Sequence, residues 1–166
     1  MDKLKMEAEL LHGSNKKSLV SGAVETLMPM LVVGWKEEFK DIPRLVVGLS
    51  WNDDEEKEKS LRQLGLALGP MKKQVDVVVF SSEMWFTIHD NKKLPKNVTR
   101  PRDDPKRKEG ILTIACTPDL RDVYSIKEPF SRSSDGKPEF DQEVDSGRDD
   151  HGEYYILEKL LGLYGN

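Results

Sequence analysis

Glu83 is the residue of this sequence whose type and position most suggest chemistry. It lies between Ser81 and Trp85 on one face of an alternating apolar run that predicts a strand over Val75–Ile88. A carboxylate on a partly buried sheet face can have a raised pKa and act as an acid or base. It can equally be a structural group held by a basic side chain or by backbone amides, which we favour. His89 is six residues further on, roughly 20 Å away in an extended chain, so the two are not predicted to pair.

The other reactive residue types carry weaker signals. Cys116 alternates with Leu112 and Ile114 and is predicted to be an inert thiol in the core. The acidic residues around His151, within Asp149–Glu153, could bind a hard metal ion, but they fit better as caps of a following helix. The sequence holds neither a phosphate-binding glycine motif nor a hydrolase nucleophile elbow. It therefore predicts no cofactor and no metal.

Charge is segregated into two long segments. Residues 91–108 hold eight basic and two acidic side chains, whereas residues 135–153 hold eight acidic and two basic ones. Loops of this length are typically functional or disordered. The basic segment could contact phosphates, but it contains no aromatic side chain on which a base could stack. Weak nucleic-acid binding is therefore an alternative rather than the predicted function.

The strand around Glu83 and the loop that follows resemble a group of uncharacterised prokaryotic proteins. In that group, a strand with Ser-Glu-x-Trp precedes an acidic-Pro-x-Arg-x-Glu loop, and a further strand follows. The matching residues are Ser82, Glu83, Trp85, Asp104, Pro105, Arg107 and Glu109. The resemblance spans the middle part of the chain and implies no activity. With it, we define a candidate polar cluster, either functional or structural: Glu83, Trp85, Arg100, Arg102, Asp104, Arg107 and Glu109.

The elements that must position this cluster follow from apolar periodicity and from turn residues. The sequence predicts helices at about 2–11, 14–28, 52–68 and 153–164, and strands at about 30–33, 45–49, 75–88, 111–116 and 122–126. The order is α-α-β-β-α-β-β-β-α, which predicts an α+β fold with one mainly antiparallel sheet of about five strands and packed helices. This order is similar to that of roadblock and profilin-like folds, an analogy of element order alone.

Length and charge set the class of protein. The 166 residues predict a single domain over residues 1–166, with long charged loops at about 90–109 and 131–152. A net charge of −4 excludes a general polycation, and a single Cys excludes a disulfide framework. The longest nearly uncharged run, Leu27–Trp35, is far shorter than the roughly 20 residues of a membrane span. These features predict a soluble, cytoplasmic protein without membrane contact.

The sequence favours a non-enzymatic module that binds or regulates another protein or a second copy of itself. The alternative is a small enzyme that uses Glu83 with charged residues of the Arg100–Glu109 loop. Around Glu83 we expect a basic side chain from Arg100–Lys108, or backbone amides, as partners. The segment 153–164 is apolar nearly all round and predicts a homodimer through a C-terminal helix.

Overall fold

The computed structural model describes residues 2–86, 105, 107–140 and 143–148. In this part of the chain the helices are α1 (Lys3–Val20) and α2 (Asp54–Leu68), with short 3₁₀ helices at Glu37–Phe39 and Gly69–Gln74. The strands are β1 (Met30–Trp35), β2 (Leu45–Gly48), β3 (Val75–Phe86), β4 (Lys108–Cys116), β5 (Val123–Arg132), β6 (Pro138–Glu139) and β7 (Asp145–Arg148). Neither described helix is long and apolar enough to cross a membrane.

The strands form one curled antiparallel sheet in the order β2-β1-β3-β4-β5-β6, and β7 also pairs with β5. The predicted antiparallel hairpin of β1 and β2 is confirmed, with Val32 opposite Val46. The central position predicted for β3 is also confirmed, because β1 and β4 pair with its two edges. Its first half is buried on both faces, as a central strand requires.

Each face of the sheet has its own apolar cluster. On the α2 face, Leu61 and Leu68 of the helix pack with Leu31, Phe80 and Ile114 of the strands. On the other face, α1 packs over β3, β4 and β5. The apolar residues of that interface are Leu4, Ala8, Val77, Val79, Ala115, Tyr124 and Ile126. The sheet is therefore the middle layer, and α1 lies on the face that carries Ser81 and Glu83.

The predicted fold class is wrong in element order and strand number. The described residues form seven strands rather than about five, and the analogy with roadblock and profilin-like folds, which depended on the order, does not apply. Strands β6 and β7 lie within residues 131–152, which were predicted to be a loop because they lack apolar alternation. They form by backbone pairing with the outer edge of β5, which needs no apolar side chains. The predicted helix 153–164 lies outside the described residues.

The two helices predicted before β1, at about 2–11 and 14–28, are wrong in number and in their end, because one helix, α1, replaces them and ends at Val20. We expected Gly13 to interrupt the helix, but α1 continues through Gly13 to Val20. Two residues further on, the backbone turns at Gly22, whose φ is +75°. A glycine inside a helix costs about 1 kcal/mol, less than the burial of a helix face contributes. Helix α1 is anchored by Leu4, Ala8 and Leu19, which are almost completely buried.

Two glycine substitutions are expected to change stability in opposite directions. Gly13→Ala should raise the free energy of unfolding by about 0.5–1 kcal/mol, because an added Cβ meets nothing within 4 Å and alanine favours the helix. Gly34→Ala should lower it by about 1–3 kcal/mol, because its Cβ would lie 2.7 Å from the buried Cγ1 of Val77. Urea unfolding measures both. A shift of the same sign in both variants would contradict either the continuous helix or the close β1–β3 packing.

Candidate functional site

Polar residues interrupt the buried stripe of α1 midway along the helix. Five of the six buried residues of α1 recur at spacings of three or four, which places them on one helical face: Leu4, Ala8, His12, Asn15 and Leu19. The sixth, Glu7, pairs with Arg44. Opposite His12 and Asn15, the sheet presents buried polar side chains from β3, β4 and β5, which are Ser81, Thr113 and Glu128. A polar layer therefore lies between α1 and the sheet, with apolar packing on either side.

Hydrogen bonds connect these residues into one line. The Asn15 Nδ2 donates to Ser81 Oγ at 2.9 Å, and Ser81 Oγ lies 2.8 Å from Thr113 Oγ1. Thr113 Oγ1 lies 2.9 Å from His12 Nδ1. His12 Nε2 lies 3.0 Å from Glu128 Oε1. We call these five residues, Asn15, Ser81, Thr113, His12 and Glu128, the buried chain.

Glu128 is the charged end of the buried chain. It is 4% exposed, and its second oxygen accepts a hydrogen bond of 2.7 Å from Lys16 Nζ. Burial lowers the pKa of His12, while the hydrogen bond and the charge of Glu128 oppose that shift. His12 is therefore neutral near pH 7, so its Nε2 carries the hydrogen donated to Glu128 and its Nδ1 accepts from Thr113.

The order of Thr113, His12 and Glu128 is the hydroxyl–imidazole–carboxylate order of a hydrolytic triad. Burial decides against that role, because Thr113 and the adjoining Ser81 are both 0% exposed, and a substrate cannot reach either hydroxyl. The buried chain therefore fastens α1 to the sheet. Cys116 is likewise fully buried, as predicted, and burial raises the pKa of its thiol to about 12, so no thiolate nucleophile is present at neutral pH.

A second charged cluster lies further along the same face of the sheet, nearer its surface. Arg132, at the end of β5, donates from Nη2 to Glu83 Oε1 at 2.8 Å and from Nε to Glu109 Oε1 at 3.3 Å. Glu83 also accepts the backbone N–H of Leu27 at 3.0 Å. The third guanidinium nitrogen donates to the carbonyl of Gly136 at 3.1 Å. We call Glu83, Glu109 and Arg132 the carboxylate–arginine cluster.

The two carboxylates of this cluster are held unequally. Glu83 has a short bond to the guanidinium and one to an amide, and its side chain is 12% exposed. Glu109 has the longer contact with Arg132. Burial raises the pKa of Glu109, and its contact with Glu83 raises it further, against the opposing effect of Arg132. One guanidinium therefore faces two carboxylates, and Glu109 is the less well compensated.

The carboxylate–arginine cluster opens onto a cleft of about 560 Å³. The cleft lies between the end of α1 with the segment that follows it and the turn between β5 and β6. Its lining includes Glu109 and Arg132 together with Val20 and Val24, whose exposed fractions are 59% and 38%. We call Val20 and Val24 the apolar wall of the cleft, and Glu109 and Arg132 its charged floor.

The structure brings together four of the seven residues of the predicted polar cluster. Glu83, Trp85 and Glu109 lie at one end of the β3–β4 pair, with Trp85 directly opposite Glu109. The guanidinium carbon of Arg107 lies 4.6 Å from the centroid of the Trp85 ring. The predicted members Arg100, Arg102 and Asp104 lie outside the described residues.

The expectation that Glu83 is held by a basic side chain of Arg100–Lys108, or by backbone amides, is confirmed for the amide, and the arginine found at Glu83 comes from another strand. Its arginine partner is Arg132, and the amide partner is that of Leu27. Arg132 was missed because β5 was predicted to end at Ile126, where apolar alternation stops. The strand continues, and Glu128 and Arg132 keep to the face of Ile126 at every second residue.

His12 and Asn15 were missed because the sequence was divided at Gly13. The signal was present, since both residues continue the spacing of three or four that begins at Leu4 and Ala8. Polar residues on an otherwise apolar helical stripe indicate a polar partner on the opposing element.

The described residues contain no group of three or more His, Cys, Asp or Glu side chains placed to hold a metal ion, and the acidic segment around His151 lies outside them. The resemblance of the β3–β4 region to a group of prokaryotic proteins stays a prediction. Comparison of the chain with protein-family models, with curated proteins and with solved structures finds no match.

Proposed function

We propose that this chain is a non-enzymatic protein-binding module that takes a basic side chain of its partner into the cleft beside Glu109. The observation that carries this proposal is the imbalance in the carboxylate–arginine cluster, where Glu83 and Glu109 share one guanidinium among the described residues, that of Arg132. The Glu109 carboxylate borders the cleft, whereas Glu83 lies behind it against the Leu27 amide.

Charge explains why a cation would bind here. A half-buried carboxylate without a full counter-charge is unfavourable, as the raised pKa of Glu109 indicates. A lysine ammonium or an arginine guanidinium entering the cleft would give Glu109 a partner of its own. Arg132 would then remain bound to Glu83 and to the Gly136 carbonyl.

The apolar wall argues for a protein partner rather than a free inorganic cation. Val20 and Val24 expose much of their side chains along the cleft, and Pro138 lines the opposite side. The stem of a lysine or arginine side chain buries its methylene groups against such a wall while its charged end reaches the carboxylate. A partner segment with a basic residue beside an apolar one fits this arrangement.

An enzyme that uses Glu109 as a proton donor or acceptor is the second candidate function. The observation that favours it is the raised pKa of Glu109 at the edge of the cleft, with a second carboxylate next to it. This is the alternative in which Glu83 works with the loop that ends at Glu109.

Binding of single amino-acid probes distinguishes these functions. We expect N-acetyl-lysine methylamide and N-acetyl-arginine methylamide to shift the NMR signals of Gly22, Gly136 and the Arg132 Nε–H. N-acetyl-norleucine methylamide, which lacks the charge, should leave them in place. Glu109→Gln should weaken lysine-probe binding at least about fivefold, corresponding to about 1 kcal/mol. The matched variant Glu37→Gln, whose carboxylate is 85% exposed on the 3₁₀ helix, should not.

Two outcomes would overturn the binding proposal. One is equal shifts from the charged probes and norleucine, which would mean that the cleft selects for apolar groups only. The other is hydrolysis of chromogenic ester or glycoside substrates by the wild-type protein that disappears in Glu109→Gln and persists in Glu37→Gln. That result would support the enzyme instead.

A further inference from the structure

The buried chain has a direction, set by the donor at one end and the acceptor at the other. Asn15 Nδ2 can only donate, so Ser81 accepts from it and passes its own hydrogen to Thr113. Thr113 in turn donates to His12 Nδ1, and His12 Nε2 donates to Glu128. Each hydroxyl therefore donates once and accepts once when His12 is neutral.

A proton on His12 removes the acceptor on which this direction depends. Both ring nitrogens of an imidazolium donate, so Nδ1 would point a hydrogen at Thr113, whose hydroxyl must then donate to Ser81. Ser81 must donate to Asn15, which meets it with an N–H₂ group. The conflict is relieved when the Asn15 amide rotates by half a turn and presents Oδ1. The bond from His12 Nε2 to Glu128 is the same in both states.

We propose that the buried chain is a two-state, acid-operated switch in which proton uptake by His12 reverses the three hydrogen bonds that run from His12 Nδ1 through Thr113 and Ser81 to Asn15, and rotates the Asn15 amide. Each state satisfies all five residues, and a mixture of the two leaves two donors facing each other in a site without water access. The hydrogen bonds of the buried chain therefore reverse together. These hydrogen bonds connect α1 with β3, β4 and β5. Protonation of His12 therefore changes the hydrogen bonds that attach the helix to the sheet.

The charged groups acting on His12 come from two elements. Glu128 on β5 favours the imidazolium, and Lys16, one turn further along α1, opposes it. Strands β3 and β4 face the ring region with the hydroxyls of Ser81 and Thr113, which do not titrate. Lys16 is itself bound to Glu128, so the carboxylate is shared between an ammonium and the imidazole.

The sign of the pH dependence follows from burial, which lowers the pKa of His12 below its ordinary value of 6.5. The unfolded chain then binds a proton on this histidine before the folded chain does. Stability contributed by the neutral ring is fully present above pH 6.5. It is lost as the pH falls from 6.5 to the lower folded pKa, and levels off below that.

An NMR titration of the ¹⁵N- and ¹³C-labelled full chain tests the proposal in the wild-type protein. We expect the His12 ring signals and the Asn15 side-chain amide signals to shift together, with one midpoint, as the pH is lowered. An Asn15 amide that stays unchanged while His12 titrates would overturn the proposal. This test needs no substitution, so it does not depend on the folding of a variant.

Asn15→Asp tests the direction of the hydrogen bonds in the buried chain. An ionised aspartate can only accept, which fixes the reversed direction and should move the His12 midpoint to higher pH. Ser14→Asp adds the same charge at a neighbouring exposed position without touching Ser81, and should move the midpoint much less. The double variant Asn15→Asp with Ser81→Ala interrupts the chain but keeps the charge, so most of the rise should disappear. Equal rises in Asn15→Asp and Ser14→Asp, or a rise that survives Ser81→Ala, would overturn the proposal.

Discussion

Replacing Glu128 with leucine is expected to lower the free energy of unfolding by about 1–3 kcal/mol, because it leaves a buried hydrogen-bond donor without an acceptor. Glu128 is 4% exposed and accepts from both His12 and Lys16. Leucine would leave the His12 Nε2–H buried beside an apolar side chain with nothing to accept it. The loss should be measurable by urea unfolding at pH 7.

Two further substitutions separate the hydrogen bond from the charge. Glu128→Gln keeps an oxygen that can accept from His12 but removes the attraction to Lys16, so its loss should fall clearly below that of leucine. Glu9→Gln, at a 56% exposed position on α1, should change stability by about 0.5 kcal/mol or less. Wild-type stability in Glu128→Leu would show that the buried chain does not hold α1 to the sheet.

The elements that apolar patterning specifies could be predicted from the sequence. β1, β2 and β3 carry Val-rich runs, and α2 carries Leu61, Leu64 and Leu68 after a cluster of capping acids. In β1, β3 and α2, burial of the apolar residues provides most of the driving force, so the pattern and the structure agree. In β2, Leu45 and Val47 are partly buried against the same core.

The elements that polar pairing specifies could not be predicted in this way. β5 continues past Ile126 through residues whose polar side chains, such as Glu128 and Arg132, find partners on α1, β3 and β4. Those partners are 23–116 residues away in the chain. A local sequence pattern contains no information on partners at such separations. The end of β5 and the charged floor of the cleft therefore could not be predicted.

Glu83 illustrates the boundary between the two cases. Its strand and its face followed from alternation, and its need for a partner followed from the cost of burying a bare carboxylate. Which arginine supplies the partner depended on where β5 ends, a matter of sheet register rather than of local sequence. The character of a buried polar residue can thus be inferred before its partner can.

Replacing Arg132 with methionine is expected to lower the free energy of unfolding by about 2–3 kcal/mol at pH 7. The Glu83 and Glu109 side chains, 12% and 20% exposed, would then lose the one cation that pairs with both in the described part of the chain. Two neighbouring carboxylates raise the pKa of a carboxyl group, because each disfavours the charged form of the other. In the variant, the folded state would then hold a proton at pH values where the unfolded state has already released it. Stability of Arg132→Met should therefore recover as the pH is lowered from 7 towards 4.5, the reverse of the trend expected for His12.

The control for this prediction is Arg121→Met, which removes an arginine whose side chain is 85% exposed beside Asp119. It should change stability by about 0.5 kcal/mol or less and give the pH profile of the wild-type protein. Adding Glu109→Gln to Arg132→Met should restore part of the lost stability at pH 7, because one carboxylate then no longer repels the other. If the double variant is no more stable than Arg132→Met, repulsion between Glu83 and Glu109 is not the source of the loss. The imbalance on which the binding proposal depends would then be absent as well.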